Sequence, residues 1–456
     1  AYTDFSTYGY GGSIRPLAGF AYGTATLLAT GTYSESVVGV SAAQALHQTE
    51  LAIRGVAFAH RANKLSDPRF GGRGSTSSTW QAAHWAVHTI EAAWLVWDQL
   101  SPETRAAVAN MAVYEANSTA TYTVPYWKTP SGYTNSSGNT RAEENAWNAE
   151  LPAVVQAMMP NHPNADAWRL KASELQVSSY SRQSDNWNQS LVDGRPVKDW
   201  LNGFNSFEDG VVVNHSRVHP DYMVASYLQT SAAIFESLAG RYIPQSTVFN
   251  IDNVYRALTE LEFTPGPDTL YETGRTILAP GGTIYKRTPG GGYDANVYYP
   301  HGNDWTYQVT DSYLNIDLVA EWLGWDDGKS FDAMGWAQAR VDALLALQNR
   351  PGHDGNVYQE GDWIGGDRGV DEDLYRSNAA AWLHWWLMRQ GAMSPIADHW
   401  GALPPPIPGD ADGNQVVDEA DAAVLASYWG QTGLAGGFRV GDFNNDGAVD
   451  ARDAAI

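Results

Sequence analysis

The run Glu208-Asp-Gly-Val-Val-Val-Asn-His-Ser-Arg-Val-His-Pro-Asp-Tyr222 interrupts a chain that otherwise reads as one helix after another. Val211–Val213 form a short β-like apolar run that delivers an adjacent Asn214–His215 pair, and Pro220 imposes a break before the next helix. Arg217, His219 and Tyr222 follow within seven residues of His215. Amide, imidazole, guanidinium and phenol are the groups needed to hold a carboxylate and move a proton beside it. A strand end capped by polar residues would account for any one of these side chains alone. Their density favours a site.

Outward from this run the periodicity is helical. Residues 1–35 are Gly-, Ser- and Thr-rich and read as an irregular lead-in. Apolar spacing then predicts helices over 41–64, 79–100 and 101–115, the last opened by Ser101-Pro. Further helices read at 141–158, 164–176, 221–239, 250–262, 310–323, 331–349 and 373–390, separated by Gly, Pro, Asn and Asp clusters. In the 79–100 helix, Trp80, His84 and His88 share one stripe. Helices with few strands, joined by alternating short and long loops, predict an all-α fold. The expected form is an (α/α)6–7 toroid or barrel whose long loops carry the site. The texture changes at Gly401-Ala-Leu-Pro-Pro-Pro-Ile-Pro408, a semi-rigid linker. The expected division is a catalytic toroid over 1–400, the linker over 401–408 and a small module over 409–456.

Composition limits the partners. Lys and Arg total 28 against 51 Asp and Glu, a formal charge of −23, which argues against nucleic acid or anionic lipid. An anionic substrate then needs a local basic cleft. Cysteine is absent, so thiolate chemistry and disulfides are out. No apolar run of about 18 residues occurs that would span a membrane. The start Ala1-Tyr-Thr-Asp has the look of a processed, exported N-terminus. Nineteen Trp and 24 Tyr suit sugar-ring stacking as well as core packing.

Beyond the linker, Asp410-Ala-Asp-Gly-Asn-Gln-Val-Val-Asp-Glu-Ala-Asp421 recurs 32 residues later as Asp442-Phe-Asn-Asn-Asp-Gly-Ala-Val-Asp-Ala-Arg-Asp453. Oxygen ligands at positions 1, 3, 5 and 12, with a backbone carbonyl at 7, suit a hard cation. One Ca²⁺ would take Asp410, Asp412, Asn414, the Val416 carbonyl and Asp421. The other would take Asp442, Asn444, Asp446, the Ala448 carbonyl and Asp453. The doubled loop, with Ala-Val-Leu-Ala-Ser-Tyr-Trp between its copies, resembles a dockerin, the calcium-folded module that docks onto cohesins. That resemblance implies a secreted carbohydrate-active protein with a cohesin-type scaffold partner. The second loop's helix stops at Ile456, which would leave the module short.

Two more stretches bear on chemistry. In Arg141-Ala-Glu-Glu-Asn-Ala-Trp-Asn, Asn145 and Asn148 share a helix face. They are read either as carboxylate or hydroxyl binders or as helix-start capping. The Gly-rich loop bearing Lys286 and Arg287 leads to Tyr298, Tyr299 and His301. A tyrosine there serves as base if neighbouring cations lower its pKa. A helical toroid with an Asn–His pair, an upstream helix-borne Asn and a later Tyr resembles the uronate-cleaving polysaccharide lyases. Asp209-Gly-Val-Val-Val-Asn-His215 is similar to the Asp-Gly-Ser-Phe-x-x-His segment of hyaluronan and chondroitin lyases. Those carry a β-sandwich for which this chain has no room, and their Tyr follows the His by nine residues where Tyr222 follows by seven. The closer likeness is to single-barrel alginate and glucuronan lyases. It implies β-elimination on an anionic polysaccharide, with Asn145 and Asn214 neutralising the carboxylate and His215 holding it or acting as base. Arg287 would tune Tyr299, the general base and acid, with Tyr298 and Tyr222 as alternatives. No metal is required for that catalysis. An inverting glycoside hydrolase using two of Asp209, Asp304, Asp362 and Asp367 is the alternative, and a non-catalytic carbohydrate binder the third reading.

Overall fold

Two of the early helices begin where a capping serine meets an apolar stripe. Ser41 Oγ accepts from Gln44 N–H at 3.2 Å and Ser101 Oγ from Thr104 N–H at 3.3 Å. Pro102 sits in the first turn, where its missing N–H costs nothing. The structure is a computed structural model that describes residues 11–64, 66, 68–74, 79–303, 310–325, 332–351, 369–403, 407–412, 416–433, 437–444 and 446–455. Its principal helices are α1 (Gly11–Ala29), α2 (Ala42–Ala59), α3 (Ala82–Leu95), α4 (Pro102–Ala120), α5 (Ala142–Met158) and α6 (Ala165–Ser179). They continue as α7 (Tyr227–Thr230), α8 (Ala232–Leu238), α9 (Ile251–Thr259), α10 (Thr310–Trp322), α11 (Ala333–Gln348), α12 (Gly369–Arg389) and α13 (Glu419–Tyr428).

Two sequence expectations change. The lead-in contains α1: Ile14, Ala18, Ala21, Tyr22 and Ala25 fall on one buried face, a stripe obscured by the Gly- and Thr-rich residues around it. The helix expected over 221–239 is three pieces, Pro220–Val224, α7 and α8. Thr230 and Ser231 hydroxyls donate to Tyr227 O at 2.8 and 3.1 Å, competing with the helical N–H groups for that carbonyl.

Packing follows a circuit. α12 lies on α1, α1 on α3, α3 on α5, α5 on α7 and α8, α7 on α10, and α10 returns to α12. Outside it, α2 packs on α1 and α4, α4 on α3 and α5, α6 on α5, and α11 on α10. Small buried residues such as Ala82, Ala83 and Ala86 on α3 let these helices approach closely. The strands among the described residues form only two-stranded pairs. One is parallel, Ile243–Pro244 with Ile396–Ala397. Just beyond it Tyr242 N–H donates to Gly401 O at 2.9 Å and Leu403 N–H to Gly240 O at 2.8 Å, so the start of the expected linker is fastened to the helical body. No helix among the described residues is long and apolar enough to cross a membrane.

The second half is tied by a buried ion pair. Arg340 Nε on α11 donates to Asp317 Oδ2 on α10 at 2.7 Å, with both side chains fully buried. Tyr255 and Tyr285 hydroxyls donate to Asp317 Oδ1 at 3.1 and 3.0 Å, and Arg340 Nη1 donates to Ala295 O at 2.6 Å. Burial pushes the Asp317 carboxyl up even with Arg340 beside it. Arg340→Met strands that carboxyl, and the expected cost is about 3–5 kcal/mol, read as a lowered denaturant midpoint.

Candidate active site

Asn214 and His215 sit on a two-residue hairpin. Val213 pairs with Val218 and Asn214 with Arg217, leaving His215 and Ser216 as the turn. Their φ angles are +50° and +63°, both left-handed. Such turns match strand twist but favour Asn-Gly, and each non-glycine residue held there costs on the order of 1–3 kcal/mol. The strain is supported from outside. His215 N–H donates to Asn139 Oδ1 and to Asn214 Oδ1, each at 2.9 Å, and Ser216 N–H donates to Gly138 O at 2.8 Å. Gly138 has φ +65°, and a Cβ there would collide with Ser216. The His215 Nε2 atom lies 3.2 Å from the Tyr222 hydroxyl, and the His219 ring packs edge-on against both rings.

Asn214 and Tyr222 face a cleft of about 490 Å³. One wall is aromatic: Trp80 meets Trp147 edge-on at 5.5 Å, and His84 stacks on Trp147 at 5.8 Å. Burial, with the Arg376 and Arg15 charges adding to it, holds His84 well below the usual imidazole range, so it is neutral at pH 7. Arg15 from α1, Arg141 and Arg376 from α12 also line the cleft, with Glu143, Glu144 and Asp221. Arg141 is paired with Glu144 at 2.9 Å. Behind the wall, burial and then the neighbouring Glu150 raise the Glu91 carboxyl well above its ordinary value, against the pull of Arg376.

The five residues expected to be catalytic are not all brought together. Asn214 lines the cleft and His215 stands behind Tyr222. Asn145 is fully buried and ties the loop at Pro125 to α6, its Nδ2 donating to Pro125 O at 3.0 Å and Ser178 Oγ at 2.9 Å. The neighbouring Asn148 turns inward too, donating to Glu144 O at 2.9 Å. Arg287 lies over the Tyr293 ring at 4.0 Å and the Trp336 ring at 5.3 Å, outside the cleft lining. Tyr299 lies behind the cleft, its hydroxyl donating to Asp221 Oδ1 and Oδ2 at 3.0 and 3.1 Å, while Tyr313 donates to the same Oδ1 at 2.9 Å. Tyr298 donates to Asp294 at 2.6 Å, and that bond raises its pKa. Of the carboxylates expected for a hydrolase, Asp209 accepts from Val211 N–H at 3.1 Å in its own turn. Asp304, Asp362 and Asp367 lie outside the described residues. Sequence reasoning missed Arg15, Arg376 and Trp147. The Trp80–His84 stripe pointed at this wall, and so did the helix start at Arg141, which was read for its Asn pair rather than for Trp147.

The C-terminal segment is built for a cation. Carboxylate oxygens of Asp410, Asp412 and Asp421 lie within 4.8 Å of one another. Asp421 accepts from Ala411, Asp412 and Asp418 N–H groups at 2.7, 3.0 and 2.7 Å. Burial would raise this carboxyl, but those bonds outweigh it and hold it below the usual range, charged and ready to ligate. In the second loop Asp442 and Asp453 are buried, and Gly447, with φ +82°, makes the sharp turn. Asp442 accepts from Asp446 and Gly447 N–H groups at 3.0 and 2.8 Å, and Asp453 from Asn444 and Asp450 N–H groups at 3.1 and 2.8 Å. Ala448 bridges to Thr432, which fastens this loop to the segment after α13. Val416 is described and exposed, whereas Asn414 lies outside the described residues.

Residues 408–456 match the dockerin type I domain. No curated protein and no solved structure matches the chain. The segment is thus a dockerin type I module, of the kind that binds Ca²⁺ and docks onto cohesins. Asp421→Ala is expected to remove one of two calcium equivalents in a calorimetric titration and leave the helical body's unfolding unchanged.

Proposed function

We propose that the helical body is a secreted polysaccharide lyase that cleaves a uronate polymer of the glucuronan or alginate type by β-elimination. The observation that carries this reading is the convergence of Asn214 and Tyr222, the latter backed by His215, on a cleft that also holds Arg15, Arg141 and Arg376. The closed packing circuit supports an (α/α) toroid as the frame. The dockerin module supports export and attachment to a cohesin-bearing scaffold.

The chemistry asks two things of the site. The substrate carboxylate must lose much of its charge before the C5 proton can leave, because the developing enediolate carries more charge still. Arg376, Arg15 and the Asn214 amide supply donors and positive charge for it. A base must then take the C5 proton as the C4–O4 bond breaks and its electron pair departs on O4, which ends protonated. Tyr222 faces the cleft and contacts the His215 imidazole, so the phenol and imidazole form one proton-handling pair. The Trp80–Trp147 wall gives sugar rings an apolar face to pack on.

The test is ultraviolet absorbance of the conjugated 4,5-unsaturated uronate while the protein acts on glucuronan, alginate, hyaluronan, chondroitin and pectate. A rise on one of them is expected, and His215→Ala or Tyr222→Phe is expected to lower the rate by roughly 100-fold or more with polymer binding retained. New reducing ends without that absorbance would mean hydrolysis and end the lyase reading.

A further inference from the structure

The His215 turn is held by a segment that is itself held by one carboxylate. Thr140 N–H donates to Val213 O at 2.9 Å and Ser216 N–H to Gly138 O at 2.8 Å, so residues 138–140 lie along the hairpin. On the far side stands Glu272, in the turn between the paired strands Gly266–Thr269 and Thr276–Ala279. Its Oε2 accepts from Gly138 N–H at 2.6 Å and Trp127 Nε1 at 3.4 Å. Its Oε1 accepts from Thr134 Oγ1 at 2.8 Å and pairs with Lys128 Nζ at 3.1 Å. From the same turn Tyr271 N–H donates to Ser216 O at 2.9 Å. Asp193, His215, Ser216, Asn250 and Glu272 are the non-glycine residues with positive φ among the described residues, and three of those five lie in the two turns joined here through Gly138 and Tyr271. Strained backbone of this kind persists only where its surroundings over-determine it, and it gathers at functional sites.

We propose that Glu272 is a positioning residue for the His215 turn: it locks residues 134–139 against the hairpin and so fixes the aim of the imidazole. The proposal rests on the reading of His215 as part of the site. Glu272 does not line the cleft and touches no reacting atom. Its role requires a carboxylate. Four donors converge on two oxygens, and an amide would turn its own N–H groups toward two of them.

Glu272→Gln is compared with wild type by amide exchange at His215, by ¹⁵N NMR of its imidazole, and by kcat and KM on the uronate polymer. The expected result is a loss of His215 amide protection of at least about tenfold, a shifted or broadened imidazole signal, and a fall in kcat of roughly 10- to 100-fold with KM changed far less. Glu272→Asp, which keeps the charge, is expected to recover part of kcat. A folded Glu272→Gln protein with unchanged His215 exchange and imidazole signal overturns the proposal. So does misfolding of both variants, which would make Glu272 a folding residue. Exchange and NMR need no turnover, so a wild type silent on every uronate polymer sinks the lyase reading and leaves this test standing.

Discussion

Two consecutive non-glycine residues in the left-handed region do not hold themselves. At His215 and Ser216 the strain is on the order of several kcal/mol against a typical domain stability of about 5–15 kcal/mol. Four hydrogen bonds to the hairpin backbone, one of them from a side-chain amide oxygen, offset it. Asn139, Gly138 and Tyr271 bond His215 or Ser216, and Thr140 bonds the flanking Val213. Much of the architecture near the cleft follows from this. The long loop after α4 returns over the hairpin to supply Gly138–Thr140, and the strand pair near residue 272 exists at the right place to grip that loop. A turn of Asn and Gly would have formed without help, but it would not have presented an imidazole.

The second constraint is electrostatic. A chain with a formal charge of −23 is a poor attractor of polyanions at long range. At physiological salt the surface acids are screened beyond about 8 Å, so the lining of the cleft decides. There three arginines face three carboxylates. Two of those carboxylates are already engaged: Glu144 accepts from Arg141 and Tyr122, and Asp221 accepts from two tyrosines. With Arg141 held by Glu144 and His84 kept neutral by burial, Arg15 and Arg376 are the cleft's remaining cations.

Local signals in the sequence were legible and long-range ones were not. Ser41 and Ser101 marked helix starts, Pro220 marked a break, and the paired Asp loops marked the calcium module, because each acts within a few residues of itself. The pairing of Arg15 with Arg376 depends on α1 packing against α12 across most of the chain, which no local pattern encodes. The shared face of Asn145 and Asn148 was readable. That it turns into the protein rather than toward the cleft was not. Arg287 was placed near a tyrosine, and it does stack on one, but on Tyr293 of its own loop.

Neighbouring tyrosines separate for the same reason. Tyr298 and Tyr299 reach different partners, and each donates to a carboxylate, Asp294 and Asp221 respectively. A phenol that donates to a carboxylate has its proton engaged and its ionised form opposed. Tyr313, on the same Asp221, shows the consequence, its pKa pushed far up by burial and then by that charge. Tyr222 instead meets an imidazole, a group that accepts a proton when neutral and returns it when charged. It also reaches the cleft from a helix held at its start by Pro220. Of the three phenols read from the sequence, the one beside the strained turn is therefore the one placed both to face the cleft and to exchange a proton with an imidazole.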